Sequence, residues 1–302
     1  MKYLLLFAFC VSFLYAKPVI DFRDINTTRE HRPTYERPNF ICNMQEKKSH
    51  VTVLSDAYIP YADEFRKQGY EKIVAYLMEP RAIDSKTYAY VTAYPEKFDL
   101  ILTYDKELLD RFPEKCRFVH AIGLSTLLRH GIHKKSKMCS ILTGKNTTEG
   151  HKLRIAALNR YKKFFDGYKT YETPWARWKD PWIKEFYFSV IIENSRAPHY
   201  FTEKITECFR SGTVPIYWGC PTIGQFFDMD GIIVFNNLEE LGVILKNLSV
   251  EEYNKRLPAI QRNFELAAKY PEQNFLHRPD WPDSMDVIWP YLEPYFKQVS
   301  AK

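Results

Sequence analysis

The chain has 302 residues, a formal net charge of +6, 45% hydrophobic residues and 16% aromatic residues. This apolar content excludes a disordered chain, and the length accommodates two domains of modest size. The basic residues are spread out, without a long Lys/Arg block or a recognised nucleic-acid motif. A nucleic-acid-binding role is therefore not expected, while a basic groove for a small anion stays compatible.

The first residues, Met1-Lys-Tyr-Leu-Leu-Leu-Phe-Ala-Phe-Cys-Val-Ser-Phe-Leu-Tyr-Ala16, are one Lys followed by an uninterrupted apolar run. From Tyr3 to Ala16 the run falls short of the ~20 residues a spanning helix needs, so 1–16 reads as a signal peptide. Leu14, three places before a cut after Ala16, is not the usual small residue, and an uncleaved membrane anchor is the alternative. Residues 17–47 are polar and proline-bearing and read as a leader or stem. Short apolar strands are expected at 50–54, 73–78, 100–103 and 117–122, within an N-terminal domain over 48–135. The basic stretch 129–137 marks a boundary, and a second domain is expected over 136–302.

That second domain opens with a strand at 138–142 and a helix from Thr148-Glu149 carrying Lys152-Leu-Arg154. An apolar run, 186–192, then stops at Glu193-Asn194-Ser195. After a polar loop, Thr202 is a natural N-cap for a helix beginning Glu203-Lys204, Gly212 lies where that helix should end, and Val214-Pro-Ile-Tyr-Trp218 starts another strand. A strand at 231–235 and a helix at 238–248 follow. Ser249-Val-Glu-Glu252 has the form of a capping box, opening a helix to about residue 269 with a kink at Pro258. Strands alternating with helices imply parallel sheets and an α/β protein. Ligands of such sheets bind beyond the carboxyl ends of the strands, where Asn194, Tyr200, Glu203 and Lys204 fall. A cation at a helix N-terminus opposes the helix dipole, so Lys204 makes sense if an anion such as phosphate lies between them.

The segment Glu193-Asn-Ser195, Tyr200-Phe-Thr-Glu-Lys204 and Val214-Pro-Ile-Tyr-Trp-Gly219 resembles the donor-binding motif of the family 10 glycosyltransferases, the α1,3-fucosyltransferases. The resemblance is close over 186–235 and looser over the remaining mature chain. It implies a GT-B arrangement, two Rossmann-like domains facing a cleft, and transfer of fucose from GDP-fucose to a glycan hydroxyl with inversion, with the 3-position of N-acetylglucosamine as acceptor. Glu79, ending an apolar strand of the first domain, corresponds to the proposed catalytic base; the plain reading is a strand-end carboxylate. Arg154 and Lys204 would hold the departing diphosphate, Arg as a planar fork and Lys as a point charge. Arg160 is the register alternative to Arg154. Glu203 would accept hydrogen bonds from the ribose hydroxyls, and Asn194 and Tyr200 would line the donor pocket. Asp228-Met-Asp230 has D-x-D spacing but reads as a turn, and neither an essential metal nor a cofactor is expected.

Two other functions remain open to the sequence: a GT-B enzyme using another nucleotide sugar, and a secreted glycan-binding protein without turnover. Five cysteines lie beyond the signal segment, an odd count, so at least one is unpaired within the chain. Sequons at Asn26, Asn146 and Asn247 fit a secretory lumen, where nucleotide sugars are imported, or secretion. Membrane association is expected only if the N-terminal segment stays uncleaved.

Overall fold

The computed structural model describes residues 17–23, 34–121, 124–125, 130–144, 147–170, 182–270, 273–274 and 284–297. The expected signal segment and the sequons at Asn26 and Asn146 lie outside the described residues. Among the described residues no helix is long and apolar enough to cross a membrane.

The first sheet contains β1 (Val19–Arg23), β2 (Tyr35–Glu36), β3 (Ile41–Asn43), β4 (Val51–Ser55), β5 (Lys72–Tyr76), β6 (Leu100–Thr103) and β7 (Cys116–Phe118). Their order across the sheet is β2-β3-β1-β4-β5-β6-β7, and all pairings are parallel except β2 with β3. The helices between these strands are α1 (Ala62–Lys67), α2 (Arg81–Ala93) and α3 (Lys106–Arg111). The expectation of a leader over 17–47 is corrected here. Ile20, Phe22, Phe40 and Cys42 are core residues, and β1 sits inside the sheet between β3 and β4.

A separate two-stranded parallel pair joins β8 (Leu124–Ser125) to β14 (Gln273–Asn274). The second sheet holds β9 (Lys137–Leu142), β10 (Gly167–Lys169), β11 (Phe186–Ile192), β12 (Val214–Trp218) and β13 (Ile233–Val234). All four of its pairings are parallel, in the order β10-β9-β11-β12-β13. Strand β11 is buried over nearly its whole length, as a central parallel strand covered on both faces must be. The helices are α4 (Glu149–Tyr161), α5 (Glu203–Arg210), α6 (Leu238–Lys246) and α7 (Val250–Ala267). Ser249 caps α7 by accepting from the Glu252 amide at 3.1 Å, and Pro258 lies inside that helix. The GT-B fold class expected from the sequence is the one observed: two parallel Rossmann-like sheets, each with helices.

Two crossings join the halves. The outgoing linker is tied to the end of α5: Gly131 N donates to Arg210 O at 2.8 Å, and buried Lys135 Nζ donates to Ser211 O (2.7 Å) and Thr213 Oγ1 (2.9 Å). Gly212 takes a left-handed φ of 69°, which ends α5 as glycine does best. On the return, Arg210 Nη2 donates to Ala267 O and Tyr270 O, at the close of α7. The chain then ends in α8 (Ser284–Lys297), which does not belong to the second domain as its position in sequence implied. Its Met285, Ile288, Trp289 and Leu292 pack against Ile20, Phe22, Phe40 and Val53 of the first sheet, with Trp289 stacked on Phe40 at 5.1 Å. At about 1.5–3 kcal/mol per buried side chain, this face contributes on the order of 6–12 kcal/mol before ordering entropy. Arg37 pairs with Asp286 and ties the same two segments electrostatically.

Candidate functional site

Numbered along the chain, the second sheet has the order 2-1-3-4-5, so its direction of growth reverses between β9 and β11. That reversal opens a crevice at the carboxyl ends of these two strands. A cavity of about 170 Å3 lies there, lined among others by Thr143 and Gly144 after β9, Arg154 on α4, and Glu203, Lys204 and Glu207 on α5.

Two close backbone approaches shape the crevice. The first turn of α4 lies directly on the residues that follow β11: Gly150 N donates to Asn194 O at 3.1 Å. A Cβ at Gly150 would stand 1.7 Å from Glu193 O, so only glycine lets the helix come this near. A Cβ at Gly219, after β12, would meet Glu193 Cγ at 2.6 Å. With α4 seated, Arg154 reaches inward. Its Nε donates to Ile192 O at 2.7 Å, Nη2 shares the same carbonyl, and Nη2 also donates to Asn194 Oδ1 at 3.0 Å. Burial is the main influence on this guanidinium and pushes its pKa down, while Glu193, Tyr200 and Glu203 act in the opposite sense.

Glu193 is the organising residue that the sequence reading did not single out. Its side chain is fully buried, and its two oxygens accept from Thr202 N (2.9 Å) and Thr202 Oγ1 (2.8 Å). Thr202 in turn caps α5 and accepts from Lys204 Nζ at 3.0 Å. Lys204 Nζ also lies 3.6 Å from Glu193 Oε2 and 3.4 Å from Glu203 Oε1. The head of α5 is thus a cation held among two carboxylates and a hydroxyl, at the edge of the cavity. His151 was missed as well. It is buried beside Arg154, with Nδ1 2.6 Å from Thr148 Oγ1. Burial, then the charges of Arg154 and Lys204, lower its pKa to about 4, so the ring is neutral at pH 7. The signal for both residues was local: Glu193 opens the motif, and His151 lies one turn before Arg154 on the same helix.

The remaining expected residues divide between the two halves. Arg160 is exposed and pairs with Glu239 at 2.6 Å, which removes it as the alternative to Arg154. Asp228 caps a short turn, accepting from Asp230 N at 2.9 Å and pairing with Arg262, so the D-x-D spacing belongs to a turn. Among the described residues no cluster of His, Cys, Asp and Glu is arranged to hold a metal ion. Tyr200 does not line the cavity: it is buried against Tyr104 of the first domain, ring centroids 5.1 Å apart, with Ala121 alongside. Its hydroxyl pKa is raised, first by burial, then by Glu193, Glu79, Tyr104 and Glu203. Tyr200 thus stands where the carboxylates of both halves are felt.

Glu79 is exposed beyond the carboxyl end of β5. Asp56, at a left-handed φ of 40°, accepts from Met78 N (2.9 Å) and Glu79 N (3.2 Å), and Tyr88 Oη donates to Glu79 O at 2.8 Å. The loop carrying Glu79 is therefore fixed from both sides, with a strained residue holding it in place.

Residues 133–257 match the family described as glycosyltransferase family 10 (fucosyltransferase) C-term. The α-(1,3)-fucosyltransferase FucT of Helicobacter pylori is 32% identical over 65 residues, 20% of this chain and 14% of that protein. The α-(1,3)-fucosyltransferase B of Drosophila melanogaster is 30% identical over 93 residues, 30% of this chain and 21% of that protein. The matched segments thus span about a fifth or less of these curated relatives. An α1,3-fucosyltransferase crystal structure superposes with a TM-score of 0.55 at 13% identity, covering 95% of this chain and 91% of the other. The structure of an α1,3-fucosyltransferase with GDP gives 0.54 at 14% identity over 95% and 92%.

Proposed function

We propose that this chain, which belongs to glycosyltransferase family 10 through its domain at residues 133–257, transfers fucose from GDP-fucose to a glycan hydroxyl with inversion at the anomeric carbon. The observation that carries this reading is the single crevice at the β9–β11 reversal that gathers Arg154, Glu203 and Lys204. Two cations there suit a diphosphate, and a carboxylate beside them suits vicinal ribose hydroxyls. In the reaction the acceptor oxygen forms a bond to the anomeric carbon as the bond from that carbon to the diphosphate oxygen breaks. The acceptor proton passes to Glu79, which is exposed beyond the carboxyl end of β5 in the first domain. The negative charge that grows on departing GDP is met by Arg154 and Lys204. Charge stabilisation of this kind is strongest where the groups are fixed beforehand, and Arg154 is already held on Ile192 O and Asn194. The relatives by sequence are both α-(1,3)-fucosyltransferases, which favours a 1,3 linkage, with N-acetylglucosamine as the first acceptor to test. The apolar N-terminal segment favours a place in the secretory lumen, or secretion.

The deciding experiment is GDP release by the purified mature chain from GDP-fucose, GDP-mannose and UDP-sugars, with and without a glycan panel and EDTA. Fucose-selective, EDTA-resistant release that disappears in Glu203→Ala and Lys204→Ala is expected. Release that prefers a different sugar would replace fucose as donor, and titratable nucleotide binding without release from any donor would leave a binding protein.

A further inference from the structure

The first domain has a cavity of its own that the chemistry above does not use. Its volume is about 430 Å3, within the ~300–1,000 Å3 range of small-molecule sites. Strand β4 lies between β1 and β5 and all three run parallel, so Arg23, ending β1 in the cavity wall, stands at the sheet edge beyond which Glu79 lies. Two strand spacings, about 10 Å, separate β1 from β5. Tyr58, also in the wall, follows Asp56 by two residues, and the Asp56 carboxylate accepts from Glu79 N at 3.2 Å. The cavity and Glu79 are thus joined by one short segment.

Two kinds of surface meet here. One is aromatic: the rings of Tyr61, Tyr58, Phe65 and Tyr70 follow one another at centroid distances of 6.4, 6.3 and 5.7 Å, from Tyr61, 54% exposed, to buried Tyr70. The other is polar. Arg23 Nη1 donates to Phe22 O (3.0 Å) and Asn43 O (3.2 Å), and Lys47 Nζ donates to Gln68 O (2.8 Å) and Gly69 O (2.9 Å), so both cations are fixed by neutral carbonyls. The side chains of Gln45, Glu46 and Gln68 complete the wall and make no hydrogen bond or ion pair among the described residues. Arg23 and Lys47 are matched in charge by Glu46 and by Asp21, which is buried and accepts from Tyr70 Oη at 2.9 Å. The cavity therefore has no excess of positive charge for a phosphate. We propose that it is a second sugar-binding subsite, taking a neutral sugar unit of the acceptor glycan beyond the one that receives fucose. This rests on the reading that the first domain presents the acceptor to Glu79. A sugar ring has an apolar C–H face and a rim of hydroxyls, each both donor and acceptor. The face suits the half-buried Tyr58 ring, and the rim suits amides, a carboxylate and the Arg23 fork, whose planar groups meet adjacent hydroxyls in pairs. Because Arg23 and Lys47 are already held, little ordering is charged against binding. The acceptor is then an oligosaccharide, since a monosaccharide at Glu79 leaves this wall uncovered.

The test is equilibrium binding of N-acetylglucosamine, N-acetyllactosamine and a tetrasaccharide of two lactosamine units to the mature chain, read by saturation-transfer NMR without need of turnover. Tyr58→Ala and the double variant Gln45→Ala/Gln68→Ala are measured beside it, with unfolding curves to verify their fold. A stacked ring and two or more hydrogen bonds contribute about tenfold or more in affinity, so the tetrasaccharide should bind the unaltered chain more tightly than the monosaccharide by at least that factor. In each variant the ratio should fall to within about threefold. Equal affinity for short and long glycans, or for none of them, in a folded unaltered chain overturns the subsite and leaves the donor reading to GDP titration. A ratio that persists in the folded double variant overturns it as well, and that variant removes only side chains without partners, so a misfolded Tyr58→Ala does not spoil the test. Tenfold tighter binding of a sulfated tetrasaccharide would overturn the neutral-sugar assignment. The expected ratios in a chain that releases GDP from no donor would uphold the subsite and overturn the transferase reading.

Discussion

The closest approach in the site gives the sharpest perturbation, Gly150→Ala. Two effects oppose each other. Alanine is the better helix former, and at an unhindered position it would stabilise α4 by up to about 1 kcal/mol. Here its Cβ would stand 1.7 Å from Glu193 O and 2.8 Å from Glu193 C, and both are backbone atoms that cannot rotate away. The first turn of α4 must retreat by roughly 1.7 Å or more to reach an ordinary contact of 3.4 Å, and overpacking of this sort costs about 1–3 kcal/mol. Arg154 follows Gly150 by one turn on the same face and retreats with it, which stretches its bonds to Ile192 O (2.7 Å) and Asn194 Oδ1 (3.0 Å). Hydrogen bonds from a charged donor contribute about 1.5–3 kcal/mol each, so the losses outweigh the gain in helix propensity. The variant should melt several degrees lower and bind GDP about 100-fold more weakly, the scale expected when a positioning group moves by an ångström. Titration calorimetry with GDP beside a thermal melt reads both quantities. A folded Gly150→Ala protein with GDP affinity within threefold of the parent would show that Arg154 does not hold the diphosphate.

The buried His151 makes stability depend on pH. Its folded pKa, about 4, lies below the ordinary histidine value of 6.5, so the unfolded chain binds the extra proton between those limits. Stability is therefore fully present above about pH 6.5 and declines as pH falls toward 4. His130, lowered to about 4 by burial and then by Arg210 and His133, adds to the same slope. Urea midpoints at pH 7, 6 and 5 should fall in that order, and His151→Gln should flatten the decline; an unflattened slope would remove His151 as a source. All five described cysteines are buried, and burial raises Cys116 to about 12. A thiol reagent should therefore label the native chain slowly and modify all five promptly in denaturant; rapid native labelling would contradict the packing. Tyr200→Ala removes a buried ring from the contact with Tyr104 and should cost about 3–5 kcal/mol, seen as a melting point lower by roughly 6–15 °C. Tyr200→Phe, which keeps the ring, should stay within a few degrees of the parent, and equal losses in the two variants would mean that the hydroxyl matters and the packing does not.

How much of this was legible in the sequence depended on the range over which each element is stabilised. Strand β6 occupies the expected 100–103 and β11 the expected 186–192 because each is a continuous apolar run buried on both faces. Strand β1 was hidden because its middle residue is Asp21, which looks like a surface charge. In the fold Asp21 is fully buried, and its carboxylate accepts from Tyr70 Oη and from the amides of Lys48 and Ser49, so the charge is satisfied by partners far along the chain. No local pattern contains that information. The crossing of α8 to the first sheet was hidden for the same reason: its buried Ile288, Trp289 and Leu292 say that the helix packs on something, but their spacing does not say on which half.

The site shows a subtler case, in which the sequence pointed to Lys204 by an incomplete argument. A lysine in the first turn of a helix suggested an absent anion, since the dipole alone opposes it. The protein supplies anions of its own, with Glu203 at 3.4 Å and buried Glu193 at 3.6 Å. Glu193 is fixed in turn by two bonds from Thr202, so the Lys204 charge is balanced before any ligand arrives. Lys204 therefore does not require a phosphate for its stability. What a phosphate would gain is a cation whose position is already set, and the ordering of a long flexible side chain is then not charged against binding. The electrostatic misfit read from the sequence thus pointed to a helix end that lines the cavity. The physical reason for the residue is preorganisation by Glu193, which becomes visible only when the end of β11 and the head of α5 are seen together.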